Sequence, residues 1–262
     1  MSPGTASAIP IAADVLEEAH RLAAEIERRA LPTRLLGGVA IQLRSRGRIP
    51  AVLERSPQDI DLITAKATQP EVTALLEESG YRADAAFNRL EGARRLLFHD
   101  DAHGRQIDVF VHEFEMCHDL PLDERLTLEP ATIPLAELAL TKLQIVELNE
   151  KDRSDLYALL HAHEVASADG PALNGARIGE LCASDWGLWR TCTLNLQRLR
   201  AALPDMRLTA SERATIAERL DALEAAVESA TKTRKWRLRS RVGERVKWFK
   251  TPDEILREEQ DP

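Results

Sequence analysis

Strand pattern runs out of this sequence near Pro134, and that break limits the architectures open to it. Beyond it the text is a succession of helical periodicities, over 135–148, 152–163, 176–183, 186–203 and 211–230, separated by Asp169-Gly170, Pro171 and Pro204. Before it, helical and strand patterns alternate. Residues 13–30 set Val15, Leu16, Ala19, Leu22, Ala23 and Ile26 at helical spacing, and Pro32 closes that segment. A short apolar run then ends in Gly37-Gly38 and leads into a helical stretch over 39–46. Residues 47–57 are basic and proline-bounded, a loop. Residues 59–63 alternate like a half-buried strand, 72–78 fit a helix ended by Gly80, and 94–98 and 106–111 fit two strands joined by an Asp- and Gly-containing turn. No fixed-period repeat is present. The predicted class is α+β: a small mixed β-sheet with flanking helices over 1–130, then a helical C-terminal domain over 131–262.

Three segments carry the chemistry. Asp59 and Asp61 lie two apart on a predicted strand, so both carboxylates project from one face while Ile60 and Leu62 face the core. Two like charges side by side repel unless a cation binds between them. Oxygen donors without nearby histidine or thiolate favour hard Mg²⁺ over zinc. Asp108 sits in a second strand of the same alternation, which as a neighbour would bring it within roughly 5 Å of the pair. Three converging aspartates describe a two-metal site, whose ions clamp the attacking and leaving oxygens of an in-line displacement at phosphorus. Gly37-Gly38 supplies a turn without Cβ atoms at a helix N-terminus, where backbone N–H groups can approach a triphosphate.

In this combination the chain resembles the nucleotidyltransferase superfamily of the polymerase-beta fold, whose pattern is a Gly-Gly or Gly-Ser turn, an Asp-x-Asp strand and a later lone Asp. Gly37-Gly38, Asp59-Ile60-Asp61 and Asp108 match it in order. The approach Arg55-Ser56-Pro57-Gln58-Asp59 is also similar to many members, whereas the connection from Gly38 to Asp59 is longer than usual and reads as an insertion. The pattern is most similar to the bacterial toxin-like members of the AbiEii and MenT kind and to the antibiotic nucleotidyltransferases. The resemblance implies a catalytic domain over 1–130 that uses Mg²⁺ and an NTP such as ATP and releases pyrophosphate. Asp59, Asp61 and Asp108 would be its metal ligands and catalytic carboxylates, and Gly37 and Gly38 its phosphate cradle. Leu140-Thr141-Lys142-Leu143 and the segment from Lys151 to Leu156 are similar to the helical part after the third aspartate. This implies phosphate contact for Lys142, with Asp155 or Asp152 as a supporting polar residue. Arg55 reads either as a phosphate contact or as a partner of Asp59.

The acceptor stays open between an RNA or tRNA end, as in a toxin of a toxin–antitoxin pair, and a small hydroxylated compound, as in the antibiotic-modifying members. A protein hydroxyl is a third class, and a binding module without turnover a fourth reading, which the intact aspartates oppose. The net charge of −8 argues against wholesale coating of nucleic acid, yet residues 232–250 hold nine Lys or Arg against the single Glu244. Trp236, Trp248 and Phe249 interleave with those cations in a pattern suited to phosphate contact and base stacking; the alternative is a cationic tail folded back on an acidic body. Trp186, Trp189 and Leu196 read as helix packing.

Other chemistries are weaker. His99 and His103 are four apart, but Asp100, Asp101 and Gly104 make that stretch a turn rather than a zinc helix. His161 and His163 are two apart on a helix and read as surface or boundary residues. Cys117, Cys182 and Cys192 form no CxxC pair and read as reduced thiols. No run of about 20 apolar residues occurs and the first twelve residues lack a secretory pattern, which together predict a cytoplasmic protein without a membrane span.

Overall fold

In the computed structural model, which describes residues 11–251, the chain divides into two compact units. Among the described residues the first takes in 11–43, 56–113 and 121–133; the second takes in 44–55, 114–120 and 134–251. The N-terminal segment read for a secretory pattern lies largely outside the described residues.

The first unit is built on a mixed sheet. Helix α1 (Val15–Arg28) starts at Asp14, whose carboxylate accepts from the Leu16 and Glu17 N–H groups, and it turns Ala19, Leu22, Ala23 and Ile26 inward. Strand β1 (Thr33–Leu36) runs straight into α2 (Gly37–Ser45). There follow β2 (Ile60–Thr64), α3 (Gln69–Glu78), the two-residue β3 (Arg82–Ala83), α4 (Ala85–Glu91), and the hairpin of β4 (Arg95–Asp100) and β5 (Arg105–Val111). The strand order is β1-β2-β5-β4-β3, with β2 parallel to β5 and the other neighbours antiparallel. The central strands are apolar on both faces: Ile60, Leu62, Ile63, Ile107, Val109 and Val111 are all buried. The outer edge of β1 is covered by the chain at 131–133, where Leu35 exchanges backbone bonds with Ala131 and Ile133. Several elements differ from the sequence reading, among them the two-residue β3, which no pattern marks. The second strand begins at Ile60, leaving Asp59 in the bend before it, and α4 had no recognisable periodicity in its seven residues.

Strands β6 (Glu113–Glu115) and β7 (Asp119–Pro121) make a two-stranded sheet. The second unit is chiefly helical: α5 (Leu135–Leu143), α6 (Glu150–Ala162), α7 (Gly175–Ser184), α8 (Trp186–Ala202), α9 (Ala210–Ser229) and α10 (Arg234–Ser240). Strand pattern does not vanish wholly beyond Pro134, because β8 (Val165–Ala166) and β9 (Leu173–Asn174) pair in parallel. Two residues are too short a run for alternation to show. Helix α5 is buried almost all round, and α7 packs on α8 and α9. Helix α9 begins with a full capping box, Thr209 and Glu212 each satisfying the other's backbone N–H. Cys117, Cys182 and Cys192 are buried free thiols.

The basic segment folds back on α8 of its own unit. Trp236 meets the Trp189 ring edge to face at 5.1 Å, and Trp248 meets Trp186 the same way at 6.2 Å. The Lys250 ammonium bonds Glu115 (2.6 Å) and Asp119 (2.7 Å), and Arg190 pairs with Glu244. The rings read from sequence as a base-stacking series are therefore engaged in packing.

His163 corrects a second reading, since it is buried rather than a boundary residue. Its Nδ1–H donates to the Pro171 carbonyl at 2.9 Å, which leaves Nε2 as acceptor for the Ser45 hydroxyl. Burial, together with Arg44, Arg48 and Arg219, pushes its pKa down to about 4. A histidine depressed on folding stabilises the native state only while the unfolded chain is also neutral. That contribution is complete above the unfolded value of about 6.5 and is lost as pH falls toward 4, at roughly 1.4 kcal/mol per pH unit. Melting temperature measured from pH 7 to pH 5 should fall less steeply for His163→Gln than for the wild type. Parallel slopes would show that His163 carries none of the acid sensitivity.

Candidate active site

The sequence places a carboxylate in each of the two central strands, where burial on both faces makes every polar group costly. Asp61 on β2 and Asp108 on β5 are register partners, directly opposed across the parallel pairing, so both project from one face of the sheet. Asp61 is half-buried and Asp108 buried.

Gly37 explains why the turn after β1 must lack a side chain. Leu36 pairs with Asp61, and the next residue takes φ +68° as it opens α2. A Cβ on Gly37 would lie 1.9 Å from Asp61 Oδ2, so the backbone of the first helical turn lies directly against the carboxylate. The positive end of the α2 dipole favours negative charge there. Gly38, the second residue of α2, continues the same first turn.

Arg95 on β4 is a site residue that the sequence reading missed. It pairs with Phe110, the position two beyond Asp108 on β5, and so shares the face of Asp108. Its Nε donates to Asp108 Oδ1 at 2.8 Å while the guanidinium lies 5.1 Å from the Phe110 ring centre. In sequence it was one charged residue in an alternating strand, and only the hairpin register brings it to Asp108.

Asp59 is exposed, and its Oδ1 accepts from the Gln106 N–H at 3.2 Å, at the entrance to β5. Among the described residues no group of three or more His, Cys, Asp or Glu side chains is gathered as a metal-binding cluster. The structure thus brings Asp61 and Asp108 to one register position and places Asp59 in the bend before β2, against the Gln106 N–H. The donor chemistry nevertheless fits a hard divalent cation, since it consists of carboxylate oxygens beside the close approach at Gly37.

Arg55, Lys142 and Asp155 come together in the second unit. Arg55 grips Asp155 bidentately (Nε–Oδ1 2.7 Å, Nη2–Oδ2 2.5 Å). Lys142 Nζ lies 2.7 Å from Asp152 Oδ1 and 3.3 Å from Asp155 Oδ2. Both acids are buried, at the start of α6, where Asn149 caps the helix through the Asp152 N–H.

No protein-family description matches the chain, and no curated protein matches it. Solved structures similar to it include the following two. One is a lincosamide antibiotic adenylyltransferase, LnuA, with lincomycin bound: 15% identity, 54% of this chain and 94% of that one, TM-score 0.38. The other is a STING-associated c-di-GMP synthase, CdnE, from Capnocytophaga granulosa: 9% identity, 85% of this chain and 83% of that one, TM-score 0.29. Both scores are low, and neither likeness carries an argument about activity.

Gly37→Ala tests the close approach. It would put a Cβ into the Asp61 carboxylate and force a left-handed φ on alanine, which by itself costs on the order of 1–2 kcal/mol. Thermal denaturation should show a clear loss of stability, larger than for Gly104→Ala, where φ is +66° but nothing lies within 4 Å. Equal losses at the two positions would mean that Asp61 does not lie against the turn.

Proposed function

We propose that the chain is a nucleotidyltransferase that moves a nucleoside monophosphate from an NTP to an acceptor hydroxyl and releases pyrophosphate. The observation that carries this reading is the opposition of Asp61 and Asp108 on two buried parallel strands, with the Gly37 turn of a helix N-terminus against one of them. A structural role gives no reason to place two carboxylates face to face in apolar strands, whereas phosphoryl transfer needs fixed negative oxygens beside a phosphate cradle.

Asp61 and Asp108 would hold Mg²⁺, joined by Asp59 from the bend before β2. The bound metal would supply charge neutralisation at the transferring phosphate and an activated acceptor oxygen. The chain's own groups do the rest. Gly37 and Gly38 offer backbone N–H groups to the phosphates. Arg95 holds the Asp108 carboxylate in place and balances its charge, and Asp108 is the group placed to take the acceptor proton. Lys142, supported by Arg55 and Asp155, is the proposed further phosphate contact. Among acceptors we favour an RNA end, as in the toxin-like members, because the cationic segment 232–250 offers phosphate-binding charge. A cytoplasmic location agrees with such a substrate, and among the described residues no helix is long and apolar enough to cross a membrane.

The test is incubation with each α-labelled NTP, Mg²⁺ and cell extract, following pyrophosphate release and the fraction that takes up label. Asp59→Ala, Asp61→Ala and Asp108→Ala should each lower transfer by roughly 100-fold or more with the fold retained. Two variants with near-wild-type transfer would sink the site. Label in a small hydroxylated compound instead of RNA would replace the acceptor, and nucleotide binding without pyrophosphate release would make the protein a binding module. Lys142→Ala should raise KM for the NTP several-fold while leaving acceptor use unchanged; unchanged NTP kinetics would remove Lys142 from the phosphate site.

A further inference from the structure

The docked C-terminal segment does more than cover α8, because it closes one side of a cavity of about 560 Å³ in the second unit, within the range that holds small ligands. We propose that this cavity is a second binding site, for a phosphate-bearing nucleotide, either free or at the end of a single strand.

The cavity's walls are specifically built. Trp248 is held by its Nε1–H to Thr191 Oγ1 at 3.1 Å, and the Thr191 hydroxyl in turn reaches His118 Nε2 at 2.8 Å. Burial holds the His118 pKa below its ordinary value, in keeping with a neutral ring accepting that bond. Gly187 at the start of α8 leaves room for the tail, since a Cβ there would meet the Trp248 carbonyl oxygen at 2.5 Å. The Lys250 N–H donates to the Cys117 carbonyl at 2.9 Å and anchors the far end.

What lines this frame suits a base and a phosphate together. Four rings face the cavity, those of Trp186, Trp236, Trp248 and Phe249. Lys235, Arg239, Lys247 and Lys250 line it too, against only two carboxylates. Each carboxylate is already engaged: Asp119 takes Lys250, and Asp185 caps α8 through the Leu188 N–H. Lys235 and Lys247 are exposed on the rim. Aromatic faces bordered by surplus cations bind nucleotides by stacking and by charge, whereas an apolar ligand would gain nothing from the lysines.

The proposal does not depend on the transfer reading, because none of the three aspartates lines this cavity. The full chain is titrated, in EDTA, with AMP and separately with a short single-stranded RNA, following tryptophan fluorescence at several salt concentrations. Saturable binding should be weakened about tenfold by Lys235→Gln with Lys247→Gln; for the RNA probe the salt dependence should also be shallower, the log–log slope falling by roughly 0.7 for each phosphate that the variant no longer neutralises. Lys151→Gln, a charge change on α6 away from the cavity, should bind unchanged. Binding of AMP alone or of both probes supports a free-nucleotide site; binding of RNA alone supports a strand site. Absence of saturable binding to either probe, or binding unaffected by the double lysine substitution in a protein of wild-type melting temperature, overturns the proposal.

Discussion

The opposition of two carboxylates on adjacent parallel strands is the constraint around which the first unit is arranged. Strands lie about 4.8 Å apart, so two ionised groups at one register position repel by on the order of 3 kcal/mol at an effective dielectric constant near 20. The fold offsets that repulsion from both sides. Arg95 reaches Asp108 from the β4 side of the sheet, stiffened by the Phe110 ring on which it lies. On the β1 side, the chain turns at Gly37 into a helix whose N-terminus lies against Asp61. Both devices depend on strand order: β1 must border β2 and β4 must border β5 for a cation and a helix dipole to meet the two acids. An apolar pair at 61 and 108 would need neither device.

A different economy governs the second unit. Its cationic end has rings at Trp236, Trp248 and Phe249, and ring packing draws the segment onto α8 where charge alone would leave it solvated. Ion pairs such as Lys250 with Glu115 and Asp119 are partly exposed, and exposed pairs contribute little each. The aromatic contacts and the Trp248 to Thr191 bond set the position, and the lysines follow. Two readings that the sequence held apart, a nucleic-acid contact and a tail folded on its own body, are therefore compatible. The rings that dock the tail also wall a cavity with cations at its rim.

Much of this is legible in the sequence alone. The long helices α1 and α5 to α9 are readable because each buries a broad stripe, and β1, β2, β4 and β5 because alternation and the Gly37 turn mark them. Asp61 and Asp108 are readable as a pair because period-two alternation fixes the face of each. What escapes has a common physical cause. Strands β3, β8 and β9 are two residues long, so no period can register. Arg95 becomes a site residue only through the β4–β5 register, and His163, just past the end of α6, is buried with its ring bonded to Pro171 and Ser45, which no local pattern shows. Asp59 is one residue out: the strand starts after it, which releases its side chain to the Gln106 N–H.

That leaves the group Arg55, Asp155, Lys142 and Asp152, where charge and burial bear on each residue differently. Two cations meet two acids, so the set is balanced, and a buried pair is costly to break by removing one member. Asp155 is held by both donors of the Arg55 fork and is almost completely enclosed, at 1% exposure. Its partnership with Arg55 therefore has the geometry of a fixed brace. Lys142 is held more loosely, by a point-charge contact to Asp152 and a longer one to Asp155. An ammonium on a flexible stem can trade one carboxylate oxygen for a phosphate oxygen without leaving either acid uncompensated, provided Arg55 stays in place. The geometry thus distinguishes a fixed pair, Arg55 with Asp155, from the more loosely held cation, Lys142.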